Sequence, residues 1–575
     1  MPHLILADRL REAVVSILPD ADTRVLQIQV CPDPKFGDYQ TSGVMVLAKS
    51  LKRNPRQLAT DVVANLKIDD LCEPAEIAGA GFINFRLRTT AIESALTKAR
   101  GNMAALAGSS GHPRTFVVDF SSPNVAKPMH VGHIRSTILG DSIARTLRFL
   151  GHAVVTDNHL GDWGTQFGKL LVGWKHHLNA EELARDPMAE MERLYKLVNN
   201  ACEADASTLT QARQELKKLQ DGDEENLGIW KEMIRWSFCE FDRVYSRLGV
   251  QFDHTLGESF YNDRLRGVVS DLMSKDIARA SEGATAVFFD GDPELKDHPA
   301  LVQKSDGAAN YTTTDLATVA YRIATWCPDE IIYVTDGRQQ LHFKQLFKIC
   351  ERWIPAPRPT FNHVWFGSIL GEDGKPFRTR AGETVRLTDL LNEAEERAFQ
   401  VVTAKNPSLE ESERREIARV VGIGAVKYAD LLPNRQSDYV FSWEKMLSFN
   451  GNTAPYLQYA YARIRSIFRK SVEDPTGTGV EASAIRLMHP EELRLAKQLL
   501  NFGLVARAAG ADCRPNYLCN YLYDLAGTFA RFYEACPVLK AEAQDRASRL
   551  AICELTGDVL KAGLSLLGIE TIERM

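Results

Sequence analysis

His130 and His133 stand three residues apart, with Gly132 between them, at the end of the stretch Ser121-Ser-Pro-Asn-Val-Ala-Lys-Pro-Met-His-Val-Gly-His133. An apolar run over residues 115–120 precedes them, after the breakers Gly111 and Pro113. Apolar residues at helical spacing (Ile134, Ile138, Ile143, Leu147, Leu150) follow them as far as Gly151. The pair therefore falls where a strand hands over to a helix, on one face of the first helical turn. Backbone N–H groups are unpaired there and the helix dipole is positive, so the position suits the holding of phosphate. Gly132 removes a side chain where a nucleotide base or ribose has room to lie against backbone.

A second set of cations lies far downstream. Gly371-Glu-Asp-Gly374 is a turn signal, and Lys375, Arg378 and Arg380 follow it before Gly382. Three cations on a glycine-bounded loop can stabilise charge that builds on transferring phosphates. Asp336, just after the apolar run 331–335, is a candidate ribose or ATP contact. Tyr311 and Asp315 are four apart and share a face if their segment is helical.

These groups need elements to hold them. Residues 153–157 read as a second strand, which makes one βαβ unit with the histidines at the carboxyl edge of its first strand, where open α/β sheets bind ligands. The spacing of apolar residues divides the chain into three blocks. Residues 1–112 hold helical patterns and a strand near Phe82, Asn84 and Phe85, a small α+β domain. Residues 113–390 form a Rossmann-like α/β domain with parallel strands, interrupted near 180–230 by a charged helical stretch that reads as surface helices or an insertion. From 391 to 575 strands disappear and the pattern is that of an α-helical bundle, with 474–483 as a loop within it.

The 575-residue length accommodates three domains. No run of 18 apolar residues exists, so no membrane span or secretory signal is expected and the chain reads as cytoplasmic. The ten cysteines form no CxxC pair, which points to reduced thiols and to no protein-bound zinc. A net charge of −6 excludes a protein coated in basic residues for indiscriminate nucleic-acid binding. A nucleic-acid partner would meet local patches such as Lys49, Lys52, Arg53 and Arg56, or Arg463, Arg465, Arg469 and Lys470.

The whole stretch SSPNVAKPMHVGHIRSTILGD resembles the form that the HIGH motif of class I aminoacyl-tRNA synthetases takes in the arginyl-tRNA synthetases. The resemblance continues through Asn158–Gly168, Gly257-Glu-Ser-Phe-Tyr261, Asn310–Ala317, Thr335–Gln345, Asn452–Arg463 and the closing residues 566–575, and so spans nearly the whole chain. It implies ATP-dependent activation of L-arginine to arginyl-adenylate and transfer to the terminal ribose of tRNA(Arg), with magnesium arriving on ATP, and a monomer.

By the same resemblance Lys375 and Arg378 stand in the KMSKS loop, which here reads KPFRT and lacks the Met-Ser. Lys127, just before the histidines, is at the position thought to share that load. Asp315 and Tyr311 would grip the guanidinium. Asn124, Glu258 and Gln339 would hold the amino and carboxylate end or the pocket wall. His159, Gly161 and Asp162 would line the site. The first block would touch the elbow of the tRNA, and Tyr459 would stack an anticodon base, with Arg463, Met575, Tyr456 and Ala460 nearby. The family commonly needs tRNA even for activation. The competing readings are another class I synthetase or nucleotidylyltransferase, and a catalytically inactive tRNA-binding protein.

Overall fold

The computed structural model describes residues 1–108, 112–377, 385–472 and 484–575. At the N-terminus, helices Pro2–Ile17, Gly43–Ser50 and Pro55–Ala64 accompany a four-stranded antiparallel sheet. Phe82–Phe85 is one of its inner strands, as the alternation there suggests, and Ile83 and Phe85 are buried.

The centre is a five-stranded parallel sheet. Its strands are β1 (Thr115–Phe120), β2 (Ala153–Leu160), β3 (His254–Gly257), β4 (Glu330–Val334) and β5 (Thr360–His363), in the spatial order β5-β4-β1-β2-β3. The chain winds outward from β1 through β2 to β3 and then returns to place β4 on the other side of β1. The order thus reverses between β1 and β4, and a crevice opens there outside the carboxyl ends of the strands.

Helices of this region include α1 (Val131–Phe149), α2 (Thr165–His177), α3 (Pro187–Ala204), α4 (Ala206–Gln220), α5 (Glu224–Leu248) and α6 (Tyr311–Trp326). Helix α1 starts at the histidine pair and ends just before Gly151, whose φ of 87° suits a glycine after a helix end. Helix α6 is tied to the sheet by Arg322, which is fully buried and donates to Asp119 on β1 at 2.6 Å and to Asp157 on β2 at 2.8 Å. Removing one partner from such a buried cluster costs about 3–5 kcal/mol, because it leaves charge uncompensated. The cluster anchors the C-terminal half of α6 to the sheet, and the helix carries Tyr311 and Asp315 at its other end.

Beyond residue 386 the chain is a bundle of helices that includes α7 (Glu411–Leu431) and α8 (Ala454–Val472). Its core is continuous with that of α1 and of the N-terminal helices. The expectation that strands cease after residue 391 needs one correction: Tyr439–Val440 pairs in parallel with Ile369–Leu370. Two residues are too short to show a period of two. The backbone approach is fixed by Asp438, whose carboxylate accepts the Ser368 N–H at 2.6 Å. A three-stranded antiparallel sheet of Ala278–Ser281, Ala284–Val287 and Ala300–Gln303 also gave no sequence signal, because its alanine-rich strands lack the large alternating residues that mark a strand. The loop 474–483 lies outside the described residues.

Candidate active site

The loop from β1 to α1 is strained and held. Ser121, Ser122 and Ala126 have φ of 73°, 48° and 60°, a region that costs a non-glycine residue about 1–3 kcal/mol. Hydrogen bonds offset this. The Ser121 N–H donates to Ser136 Oγ at 2.8 Å, the Ser122 N–H to Asn158 Oδ1 at 3.0 Å and the Ala126 N–H to Ser237 Oγ at 2.9 Å. Those acceptors sit on α1, β2 and α5, so three packed elements fix the loop that presents Asn124 and Lys127.

At its end His130 caps α1. His130 Nδ1 accepts the Gly132 N–H at 3.0 Å, and His133 Nδ1 accepts the His130 N–H at 3.0 Å, a reciprocal capping box. The rings lie 3.9 Å apart. With both Nδ1 atoms accepting, each neutral ring carries its proton on Nε2. Burial, and then the charges of Arg338 and Lys127, hold His130 below the ordinary histidine value. Burial and then His130 push His133 down to about 3, against the opposing effect of its backbone hydrogen bond. At neutral pH the pair is thus two uncharged N–H donors at a helix N-terminus, suited to phosphate oxygens.

Gly132 has a more immediate task than admitting a nucleotide. A Cβ there would lie 2.8 Å from Cε1 of His130, so the glycine makes room for the capping ring.

The neighbouring strand ends supply the rest of the site. Strand β2 runs through His159 to Leu160, three residues further than expected, and Gly161 comes next. A parallel bridge joins Gly161 to Asn124, and a Cβ on Gly161 would lie 2.1 Å from Asn124 Oδ1. Asp162 is buried, and its carboxylate accepts the Ser259 N–H at 2.8 Å and the Ser259 hydroxyl at 2.6 Å. Gly257 permits this, since a Cβ on it would lie 2.0 Å from the Asp162 carboxylate. Asp162 therefore acts on the turn that presents Glu258. His159 packs on Tyr261 at 5.6 Å between ring centroids.

Asn124 and Glu258 line one cleft of about 230 Å³, with Trp163, Gln166, Lys169 and Tyr195 among the other lining residues. Burial, and then the facing carboxylates of Asp315 and Asp162, push the Glu258 carboxyl up to about 8. Asp315 accepts from His342 Nε2 at 2.6 Å, and the Tyr311 ring meets His342 edge-on at 4.8 Å. An acidic pocket that destabilises its own charges suits a cation.

The end of β4 closes the crevice. Asp336 accepts the Arg338 N–H and Nε–H, each at 2.8 Å. Burial works against its ionisation, but these bonds from Arg338 hold it below the usual carboxylate range. Gln339 ends the short turn Gly337–Gln339 and is exposed. Lys375 is exposed on a turn closed by the Gly371 N–H donating to the Lys375 carbonyl at 2.7 Å. Arg378 and Arg380 lie outside the described residues. Past them the chain rejoins the site directly: the Val131 N–H donates to the Val385 carbonyl at 3.0 Å and the Leu387 N–H to the Met129 carbonyl at 2.9 Å.

The structure thus gathers Asn124, Lys127, His130, His133, Asp162, Glu258, Asp315 and Asp336 at the carboxyl edge of one sheet. Tyr459, Arg463 and Met575 stand apart in the helical bundle. Tyr459 is exposed on α8, Arg463 lies 5.0 Å over the Tyr533 ring, and Met575 packs against the core. Of the basic cluster there, Arg465 and Arg469 are committed to Glu573. His342, Arg338, Lys169 and Tyr195 carry no distinct signal in the sequence. His342 lies inside the motif Thr335–Gln345, whereas Tyr195 offers only an aromatic in a charged amphipathic helix, the usual sign of a core contact.

A Cβ at Gly161 tests this packing. Gly161→Ala should displace the Asn124 side chain and, on the substrate contact that the resemblance implies for Asn124, raise the KM for the amino acid roughly tenfold, the worth of about one hydrogen bond to a charged group. Steady-state kinetics with a parallel thermal melt checks this, and an unchanged KM would separate Asn124 from the substrate.

A parallel sheet with its order reversing beside a helix-capping histidine pair fits the class I aminoacyl-tRNA synthetases, whose HIGH motif the sequence resembles. Comparison with known proteins agrees: residues 92–443 match the family model "tRNA synthetases class I (R), catalytic domain". Residues 457–575 match the DALR anticodon binding domain, and residues 4–87 the arginyl tRNA synthetase N terminal domain. The arginine–tRNA ligase of Chromobacterium violaceum is 45% identical over 587 residues, covering 100% of both chains, and that of Fusobacterium nucleatum is 44% identical over 573 residues, covering 99% of each. Among solved structures, arginyl-tRNA synthetase from Thermus thermophilus superposes with a TM-score of 0.84 at 26% identity over 100% of both chains. That of Plasmodium falciparum does so with 0.83 at 29%, covering 100% of this chain and 99% of its own. The chain belongs to the arginyl-tRNA synthetase family.

Proposed function

We propose that the chain attaches L-arginine to tRNA(Arg) in two steps, and that the residues gathered at the sheet edge divide the work. The arginine carboxylate attacks the α-phosphorus of ATP, forming arginyl-adenylate and releasing pyrophosphate. A ribose hydroxyl of the terminal tRNA nucleotide then takes the arginyl group, and AMP leaves. No covalent enzyme intermediate is needed, so catalysis comes from positioning and from donors that meet the transferring phosphate better in the transition state than in the ground state.

The observation that carries this reading is the pair of neutral imidazoles at the head of α1, each with Nδ1 spent on backbone and Nε2–H free to donate. Lys127, Lys375 and Arg378 supply positive charge to the phosphates, and Asp336 meets the ATP ribose. Asp315 and Tyr311 receive the guanidinium, and Asn124, Glu258 and Gln339 hold the remainder of the arginine. Tyr459, Arg463 and Met575 meet the anticodon arm. Among the described residues no group of three or more His, Cys, Asp or Glu side chains is arranged to hold a metal. Magnesium is assigned to the phosphates of ATP, with which it arrives. No described helix is long and apolar enough to cross a membrane. A cytoplasmic monomer completes the reading.

Pyrophosphate exchange into ATP tests the first step. Exchange should require arginine, and tRNA(Arg) should be present in the assay because the family commonly needs it. Exchange driven by a different amino acid would overturn the assignment of the pocket.

A pH dependence arises from Glu258. In the free protein, burial and then the charges of Asp315 and Asp162 push its carboxyl up to about 8. The α-ammonium of arginine placed against Glu258 favours the ionised form, so binding arginine below that pH releases a proton. Affinity for arginine should therefore rise with pH, by up to about tenfold per unit between pH 6 and 8, and level off above. Titration calorimetry in buffers of different ionisation heat reads the released proton directly. An affinity that stays flat from pH 6 to 9 would remove Glu258 from the arginine pocket.

A further inference from the structure

Helix α3 lies in the charged stretch that reads in the sequence as surface helices, yet it brings an aromatic ring to the active site. Tyr195 lines the same cleft as Asn124 and Glu258. The Lys127 ammonium sits 4.7 Å from its ring centroid and the Lys169 ammonium 5.8 Å from it. Both are within the distance at which an aromatic face attracts a cation.

The arrangement is built from several sides. Lys169 also donates to Asn199 Oδ1 at 2.6 Å, and Asn199 is one turn beyond Tyr195 on α3. Helix α2, which carries Lys169, packs closely on α3 at Gly173, where a Cβ would lie 3.0 Å from Leu194 Cβ. The start of α3 is pinned in turn by Arg386, whose guanidinium reaches Asp186 at 3.4 Å and Glu192 at 3.2 Å. Arg386 itself bridges backbone to backbone with His130. Helix α3 is thus fastened at one end to the segment leaving the cation loop and, one turn on, touches Lys127.

We propose that Tyr195 is a positioning residue for adenylate formation: its ring holds the Lys127 ammonium at the cleft, with Lys169 as a second cation within reach of the same ring. This rests on the assignment of Lys127 to the transferring phosphates. A lysine side chain has four rotatable bonds, and a charge acts on a transition state only if it is already in place. A π face carries the negative character that gives the ammonium a fixed partner there.

The test is a double-mutant cycle in tRNA charging, with kcat and the arginine KM measured for wild type, Tyr195→Phe, Tyr195→Leu, Lys127→Ala and Lys127→Ala/Tyr195→Leu. Tyr195→Phe keeps the ring and should stay within about twofold of wild type, while Tyr195→Leu should lower kcat about 3- to 30-fold and leave the arginine KM unchanged. In the Lys127→Ala background the leucine should have no further effect. An equal loss of kcat in both backgrounds would overturn the proposal, since the ring would then act on something other than Lys127. The assignment of Lys127 is read separately, from Lys127→Ala alone: an unchanged rate there removes it. If Tyr195→Leu fails to fold by thermal melt, Tyr195→Met, which is of similar length and lacks a π face, completes the same cycle.

Discussion

Replacing His133 with asparagine should lower the rate of adenylate formation about 100- to 1,000-fold, the range found when one preorganised donor to a developing oxyanion is removed. The substitution is chosen for its geometry. Asparagine Oδ1 falls close to the position of imidazole Nδ1, so it can still accept the His130 N–H and keep the capping box. What it lacks is the Nε2–H. His133→Ala removes both functions and should add about 1 kcal/mol of lost stability from the uncapped N–H. Comparing the two by pyrophosphate exchange and by thermal melting separates catalysis from folding. Because the His133 ring stays neutral down to about pH 3, its protonation should contribute no acid limb to the rate between pH 6 and 8. A rate within threefold of wild type for His133→Asn would place the phosphate elsewhere.

Replacing Asp315 with asparagine should raise the KM for arginine roughly 30- to 150-fold, equivalent to about 2–3 kcal/mol. That is the lower part of the range for breaking a hydrogen-bonded charge pair, because the site is only partly screened from water. The variant keeps an oxygen for His342, which donates to Asp315 at 2.6 Å, and removes the charge. The KM for ATP should not change. Discrimination against citrulline, which has the shape of arginine without its charge, should weaken in parallel, since a neutral pocket no longer favours the cation. An arginine KM that rises no more than threefold would contradict the assignment of Asp315 to the guanidinium.

Much of the fold is legible in the sequence because its signals are local. The apolar run at 115–120, the helical spacing from Ile134 to Leu147 and Gly151 fix β1 and α1, and with 153–157 they determine a βαβ unit of known hand. The histidine pair is legible for the same reason, since a spacing of three at a strand-to-helix junction admits few geometries. The reversal of strand order that opens the crevice is not legible. It depends on where β4 inserts, and Glu330 meets Phe116 across 214 residues of sequence.

The same distance in sequence hides the partners of the site residues. Nothing local to Asp162 says that its carboxylate holds Ser259, or that Gly257 makes room for it. Gly132 shows in sequence only a missing side chain, and it takes the folded loop to reveal the His130 ring filling that space. Tyr195 is invisible because its ring looks like any buried aromatic in an amphipathic helix until Lys127 is placed over it.

The measurement that bears most directly on the whole account is ATP-dependent charging of tRNA(Arg) with each of the twenty amino acids, by the wild-type chain and by His133→Asn. The expected result is charging by arginine alone, reduced at least 100-fold in the variant. Charging by another amino acid, or tight tRNA binding with no charging at all, would contradict it.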